Sequence, residues 1–267
     1  MPVSPAPSLC QREVAIGAEP SAGGAISDGP RSGTLPRGRP GGGAMTTYEQ
    51  ALDTLERELR GVADTFADLS DEEWAMPTLL QPYEADKPHW SVFELAGHLR
   101  ISIGLTSMLI ADQQDGQPGR DHVSFFIFPR SEVAPGVYEY AYAMVEGKQP
   151  SDMPGVLREV FTDAVDGSRA LPPETVGSGY YALMRLDEFA ASRIVEAVVH
   201  GIDLTDATGR GSIATPEGVA YTAALFDELL ARRTVAGRPA DLTDDLAWVR
   251  AASGRQAHPD PRLPLLG

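Results

Sequence analysis

The sequence predicts a mainly α-helical protein, built on a bundle of about four long helices with a smaller C-terminal part. Three observations predict this class. Apolar residues recur at alternating spacings of three and four in several long segments, as in a helix that buries one face. Helix-capping motifs stand at the starts of these segments. The composition fits a globular protein with a core, since 42% of the residues are hydrophobic and 22% are charged.

The first two long helices are each predicted from a capping box, a Ser or Thr followed three residues later by Glu or Gln. The first box is TTYE, Thr46 to Glu49. It precedes an apolar stripe formed by Leu52, Leu55, Leu59, Val62, Phe66 and Leu69. The second box is SVFE, Ser91 to Glu94, and its helix carries His98 and stops near DGQPGR. The residues between the two helices are expected to form a connection.

The middle of the chain, residues 120–150, leaves its structure open. HVSFFIFPR fits a short strand or an irregular core segment, whereas YEYAYAMVEG fits a helix. A third long helix is then predicted from Met153 to Ala170. The fourth is predicted from Leu186 to Thr208, and Gly209 follows it where glycine commonly ends a helix.

Two shorter helices are predicted after the bundle. Thr215 as N-cap and Pro216 at the first helical position begin a helix that runs to about Arg233. LTDDLAWVRAASG predicts a last helix with acids at its start and Gly254 at its end. The tail HPDPRLPLLG is expected to be extended.

The chain is predicted to divide into an N-terminal extension (1–44), a helical bundle domain (45–211) and a short C-terminal helical region (212–267). Residues 1–44 are rich in Gly, Pro, Ser and Ala and lack apolar periodicity, which predicts disorder. They also lack the apolar block of a secretory signal. The only cysteine, Cys10, lies there and is expected to be unreactive, so a metal site would use nitrogen and oxygen ligands.

The net charge is −16, from 22 basic and 38 acidic residues. Such a surface repels phosphate backbones and anionic lipids, so we expect no nucleic-acid partner and no membrane partner. No apolar run approaches the roughly 18 residues of a membrane span. These observations together lead us to expect a cytoplasmic protein.

The stretch RIVEAVVHGIDL places Glu196, His200 and Asp203 in an otherwise apolar helix. Positions i, i+4 and i+7 share one face, so the three side chains form a polar stripe that requires partners when buried. Glu196 and His200 could bind one metal ion, and His98, in the second long helix, is the natural third ligand. Asp203 would then orient an imidazole or a water molecule.

The same spacing also fits a simpler interpretation. A Glu and a His four residues apart can be a helix-face pair that contributes a few tenths of a kcal/mol. Spacing alone does not decide between this pair and a metal site.

Two segments, WSVFELAGHL (Trp90 to Leu99) and EAVVHGIDLTDATG (Glu196 to Gly209), together resemble the N-terminal domain of the mycothiol-dependent maleylpyruvate isomerases. This family is a branch of the DinB-like metal-binding helical bundles. The resemblance spans roughly residues 46–211 and implies a DinB-like four-helix bundle with a short C-terminal helical extension. It also implies that His98, Glu196 and His200 bind a divalent metal ion, usually zinc.

The resemblance further implies a metal-dependent enzyme that uses mycothiol as its thiol cofactor. The reaction would be thiol transfer to an electrophilic small molecule or cis–trans isomerisation like that of maleylpyruvate isomerase. Two alternatives remain: a metal-dependent hydrolase that activates water, and a non-catalytic helical module whose metal or polar stripe is structural. A homodimer is compatible with each of them.

The substrate is harder to predict. The region after Gly211 is shorter than the second domain of the isomerases, which makes maleylpyruvate itself doubtful as substrate. A dicarboxylate would need cationic groups, for which Arg100, Arg193 and Arg255 are candidates. Each of these arginines is expected on sequence grounds to be a surface or helix-end residue.

Overall fold

Helices make up most of the chain in the computed structural model, which describes residues 47–266 except 81, 83 and 181. The α-helices are α1 (Tyr48–Ala67), α2 (Asp71–Trp74), α3 (Val92–Ala111), α4 (Arg130–Val145), α5 (Met153–Arg169), α6 (Leu186–Thr208), α7 (Pro216–Arg233) and α8 (Asp245–Ala252). The disorder predicted for residues 1–44 and the reactivity of Cys10 lie outside the described residues.

Four long helices, α1, α3, α5 and α6, form the central bundle. Helix α1 packs against α5 and α6, and α3 packs against the same two helices. These are the four long helices that the sequence predicts, so the mainly helical bundle is confirmed. None of the described helices is long and apolar enough to cross a lipid bilayer.

Helix α1 begins one residue later than predicted. Its N-cap is Thr47, not Thr46, and the capping box pairs Thr47 with Gln50. The sequence TTYEQ offers two overlapping boxes, and the second of them places the buried Leu52, Leu55 and Leu59 towards the core. The box predicted for α3 is present, with Ser91 as N-cap and Glu94 as its partner.

Helix α6 runs through the middle of the molecule and is buried on nearly every side. Its large apolar residues Phe189, Ile194, Val198 and Leu204 are all fully buried. It ends at Gly209, whose φ of 67° lies in the left-handed region that glycine adopts without strain. The polar His200 and Asp203 in the middle of this helix therefore face the protein interior.

The ambiguous segment 120–150 contains no strand. Its first half forms a 3₁₀ turn, Ser124–Phe126, in which Asp121 accepts a hydrogen bond of 2.7 Å from the Ser124 backbone. The second half forms α4, which packs on α3. The strand alternative is wrong because Phe125 and Phe126, whose rings are buried, donate their backbone N–H groups within the turn, to the carbonyls of Asp121 and Val123.

Two short elements were not predicted. Helix α2 has a capping box of its own, formed by Ser70 and Glu73, within what was expected to be a connection. An antiparallel hairpin joins β1 (Val176–Ser178) to β2 (Leu183–Arg185), with Gly177 opposite Met184. Each of its strands has three residues, too few for an alternating pattern to stand out.

The C-terminal part packs on the bundle through α7, which contacts α6 and α1, and α8, which contacts α7. Trp248 of α8 is fully buried, and its indole nitrogen donates to the Ala223 carbonyl over 3.2 Å. The tail does not simply extend: it turns back, and the backbone nitrogen of the buried Leu265 donates to Ala252 over 2.6 Å. Residues 45–267 form one compact unit. The division at residue 211 stays a prediction.

Candidate metal centre

Helices α3 and α6 pack against each other and bring three potential metal ligands together. His98 projects from α3, while Glu196 and His200 stand one turn apart on α6. Nε2 of His98 lies 3.4 Å from Oε2 of Glu196, and Nε2 of His200 lies 3.3 Å from the same oxygen. One ligand atom from each residue lies within 4.8 Å of the other two. We call these residues the triad; the sequence predicted the same three.

The triad is buried and charged. Burial raises the pKa of Glu196, but hydrogen bonds from His200 and His98 outweigh it and hold the pKa well below its ordinary value. Burial and the neighbouring His200 lower the pKa of His98, which favours its neutral form. An ionised carboxylate buried between two imidazoles requires a compensating positive charge. A proton on His200 or a metal ion would supply it.

Asp203 and Arg255 support His200 from the other side of its ring. Nδ1 of His200 donates to Oδ2 of Asp203 over 2.8 Å. Arg255 donates to both oxygens of Asp203, over 2.9 and 2.7 Å. Burial raises the pKa of Asp203, but Arg255 and the His200 hydrogen bond outweigh it, and the pKa falls to about 2. An ionised Asp203 keeps the proton of His200 on Nδ1 and leaves the Nε2 lone pair for the triad.

The expectation that the three candidate arginines are surface or helix-end residues is wrong for Arg193, whereas Arg255 does follow the end of α8 but is largely buried there. Arg193 is 1% exposed; it donates to the Ser102 carbonyl over 2.8 Å and lies 4.4 Å from the centre of the Phe189 ring. Arg255 has a side chain only 13% exposed. Arg100 is half-buried and donates to the Met144 carbonyl over 2.6 Å. Aromatic faces, backbone carbonyls and a buried carboxylate give these cations interior partners that spacing does not reveal.

Trp90 covers the imidazole of His98. The two rings stack with centres 5.1 Å apart and planes 28° apart. Nδ1 of His98 is buried and has no hydrogen-bond partner among the described residues, so on this edge the ring is held by packing, while Nε2 on the other edge faces Glu196. Trp90 is the first residue of the segment WSVFELAGHL, but no feature of the sequence predicted this contact.

A cavity of about 290 Å³ opens beside the triad. Its wall contains His98, Glu196, His200, Arg193 and Arg255 together with many rings. The aromatic lining includes Trp90, Phe125, Phe126, Phe128, Tyr138 and Tyr140. Sequence reasoning missed this wall because five of these six aromatic residues come from the ambiguous segment 120–150. It also missed Arg233, which lines the cavity from the end of α7.

The donor set suits a divalent ion such as zinc. Donor atoms about 2.0–2.2 Å from a tetrahedral ion lie about 3.3–3.6 Å apart. The two nitrogen–oxygen separations in the triad are 3.3 and 3.4 Å. Two imidazoles and one carboxylate leave a fourth position, which is the pattern of catalytic zinc sites.

A family comparison agrees with this geometry. Residues 55–205 match the model of the mycothiol maleylpyruvate isomerase N-terminal domain, which is more than half of the chain. The chain belongs to this family. No curated protein and no solved structure matches the chain.

The triad and Asp203 all lie within the residues matched by the mycothiol maleylpyruvate isomerase N-terminal domain. Arg233 and Arg255, which line the same cavity, lie beyond its last matched residue. The family suggests a link to mycothiol and isomerase chemistry. The cavity wall beyond residue 205 belongs to this chain's own C-terminal part.

Proposed function

We propose that this protein is a metal-dependent enzyme that uses a low-molecular-weight thiol, mycothiol, for thiol transfer or cis–trans isomerisation of a small electrophile. One observation carries the proposal: the triad forms part of the wall of a cavity large enough for a small molecule. A purely structural metal site is normally closed by four protein ligands, whereas this triad offers three and faces the cavity.

The triad and its supports have separate roles in this proposal. His98, Glu196 and His200 hold the ion, and zinc fits their nitrogen and oxygen donors. Asp203 fixes the tautomer and orientation of His200, and Arg255 keeps Asp203 ionised. Trp90 packs on His98 and holds its ring in place.

The apolar cavity wall contributes to the proposed reaction by excluding water. Rings and aliphatic side chains displace water around the triad, which strengthens electrostatic interactions there. When bound, a divalent ion such as zinc lowers the pKa of a thiol in the cavity and so provides a thiolate nucleophile at neutral pH. Arg193 is fixed to α3 through the Ser102 carbonyl, and its positive charge helps keep Glu196 ionised.

A cobalt titration tests the proposal. The full chain is loaded with Co²⁺, mycothiol is added, and the near-ultraviolet absorption that arises when a thiolate binds cobalt is recorded. We expect this absorption to rise and saturate with mycothiol and to stay absent with S-methyl mycothiol, which has no thiol proton to lose. His98→Ala should abolish it.

The proposal is wrong if cobalt binds to the triad and mycothiol leaves the spectrum unchanged. Turnover of an electrophile without any thiol would instead indicate that water is the nucleophile. The S-methyl derivative controls for binding of the sugar part of mycothiol away from the triad.

A further inference from the structure

Arg233 differs from most arginines in this acidic protein. It is the last residue of α7 and lines the cavity beside the triad. Its one hydrogen bond among the described residues runs from Nη1 to the Leu265 carbonyl, over 2.7 Å. A guanidinium carries five N–H donors. Most of the donors of Arg233 therefore have no acceptor among the described residues.

No carboxylate among the described residues pairs with Arg233. Its neighbour Arg232 is paired with Asp121 at 2.7 Å and Glu228 at 2.5 Å. Arg233 is exposed by accessible area, yet desolvation at the cavity lowers the pKa of its guanidinium, and no nearby acid raises it. The chain carries 38 acidic residues, yet none of the described ones pairs with this arginine. Its positive charge can therefore bind an anionic ligand in the cavity.

The other cations of the cavity are already engaged. Arg255 is paired with Asp203, and Arg193 donates to Ser102 and Ser192 while its guanidinium lies over two phenylalanine rings. A ligand with two carboxylates would leave the second one facing apolar side chains, which is unfavourable. The cavity therefore fits a single negative charge.

The remaining wall is apolar and ring-rich. Phe125, Phe126, Phe128 and Tyr140 line it together with Leu105 and Val137. An apolar cavity of about 150 Å³ holds one benzene molecule. The cavity here, about 290 Å³, therefore has room for a single ring with a short chain beside a thiol group.

We propose that the substrate is a carboxylic acid with an apolar body of about one ring, whose single carboxylate binds Arg233 while the ring lies against the aromatic wall. This inference rests on the proposed function, because it names the substrate class of the same site. Arg233 acts as a specificity-determining residue, since Arg forms paired hydrogen bonds with a carboxylate.

Calorimetric titration of the full chain tests this inference with two unreactive probes, 3-phenylpropionate and its uncharged analogue 3-phenylpropanamide. We expect the acid to bind about tenfold tighter than the amide, because a charge-assisted hydrogen bond exceeds a neutral one. Maleate, which has two carboxylates and no ring, should bind more weakly than 3-phenylpropionate.

Three variants make the test specific. Arg233→Gln should bind the acid and the amide equally, and Arg233→Lys should keep part of the preference because it keeps the charge. Arg57→Gln is the matched control: Arg57 is exposed on α1, donates only to Thr54 among the described residues, and does not line the cavity. It should behave like the native chain.

The inference is overturned if the native chain binds acid and amide equally, if it binds neither, if it prefers maleate, or if Arg233→Gln retains the preference for the acid. The titration is repeated after removal of metal by a chelator. A preference that persists supports Arg233, whereas one that disappears places the carboxylate on an ion and overturns the inference. Failure of the proposed function would appear separately, in the cobalt titration with mycothiol.

Discussion

His200 is held on both edges of its ring. Its Nε2 faces Glu196 at 3.3 Å, and its Nδ1 donates to Asp203 at 2.8 Å. Asp203 in turn receives two hydrogen bonds from Arg255, which follows α8. A chain of charges thus runs from the C-terminal part of the molecule to the triad. Partners of this kind set the orientation and basicity of a histidine that binds metal.

Asp203→Asn should weaken metal binding by about 10–100-fold, because an amide no longer holds His200 in the tautomer that frees Nε2. Competition with a chelating dye measures the change in affinity. Asp206→Asn is the matched control, since Asp206 is also on α6 and pairs with Arg250 at 2.7 Å but does not contact the triad. An equal loss of affinity in both variants would contradict the role of Asp203.

The triad could be predicted from the sequence, but the interactions of the nearby Arg193 and Arg255 could not. Spacing placed Glu196, His200 and Asp203 on one face of a helix, and His98 was the natural third ligand because it lies on the second long helix; the family resemblance implied the same three ligands. Arg255 lies in an irregular turn after α8, where no periodicity indicates its direction. The burial of Arg193 depends on rings and a carbonyl that other elements bring to it.

At the scale of elements, the close approach of α3 and α4 depends on Gly97. A Cβ atom at this position would overlap the carbonyl oxygen of Ala141 and lie 2.9 Å from Cγ1 of Val145. The carbonyl oxygen belongs to the α4 backbone, so α4 itself would have to move. Gly97 is therefore the position where α4, which supplies part of the cavity wall, can pack next to His98.

Gly97→Ala should lower the free energy of unfolding by about 1–3 kcal/mol, because it overfills a packed contact. Gly155→Ala is the control, since nothing lies within 4 Å of a Cβ added at Gly155 on α5. It should leave stability unchanged or raise it by about 0.5–1 kcal/mol through helix propensity. Urea unfolding monitored by circular dichroism measures both. Equal effects would contradict the close approach.

A salt bridge between Glu73 and Arg210 connects helix α2 to the segment after α6. Arg210 donates to both oxygens of Glu73, each over 2.9 Å. Its hydrogen bonds, with that from the Ser70 backbone, lower the pKa of Glu73 from its ordinary value to about 2. Because the pKa is lowered in the folded chain, the pair stabilises the fold fully above about pH 4.5, where Glu73 is also ionised in the unfolded chain. This stabilisation is lost as the pH falls towards 2.

Glu73→Gln should therefore be less stable than the native chain at pH 7, and the difference should shrink as the pH falls from about 4.5 to 2. Glutamine keeps the capping geometry and removes the charge. Glu72→Gln, at an exposed neighbour in the same helix, should show little difference at any pH. Urea unfolding curves recorded across this pH range measure the difference in the free energy of unfolding. A constant difference for Glu73→Gln would refute the ion pair as its cause.

The four bundle helices and the two C-terminal helices were predicted close to their observed bounds, whereas α2, α4 and the hairpin were not. The boundaries of α6 and α7 follow from Gly209 and from Thr215 with Pro216, because caps and terminal residues act locally. The hairpin and the turn at Ser124–Phe126 depend on contacts with distant helices and carry too few residues for a period. Phe125, Phe126 and Tyr180 of the cavity wall arise from such segments, and Tyr138 and Tyr140 arise from α4, which the sequence left ambiguous, so the sequence could not reveal this wall.

For the whole molecule, the family match and the compact unit differ in extent. The match spans residues 55–205, whereas residues 45–267 form one unit. The triad comes from the matched part, and Arg233 and Arg255 come from the rest. We therefore propose that the helical bundle of this family binds the ion and the thiol, and that the C-terminal part determines which electrophile binds.

Metal analysis of the purified full chain, after loading with zinc and removal of excess ion, tests the metal centre most directly. We expect about one ion per native chain, and loss of the ion in His98→Ala and His200→Ala with the helical circular dichroism retained. His122→Ala is the control, a half-buried histidine paired with Glu188 outside the triad, and it should keep the ion. The metal centre would be contradicted by a native chain that holds no metal, or by a His200→Ala chain that still holds one ion. The polar cluster would then have a structural role, with a proton on His200 balancing the charge of Glu196.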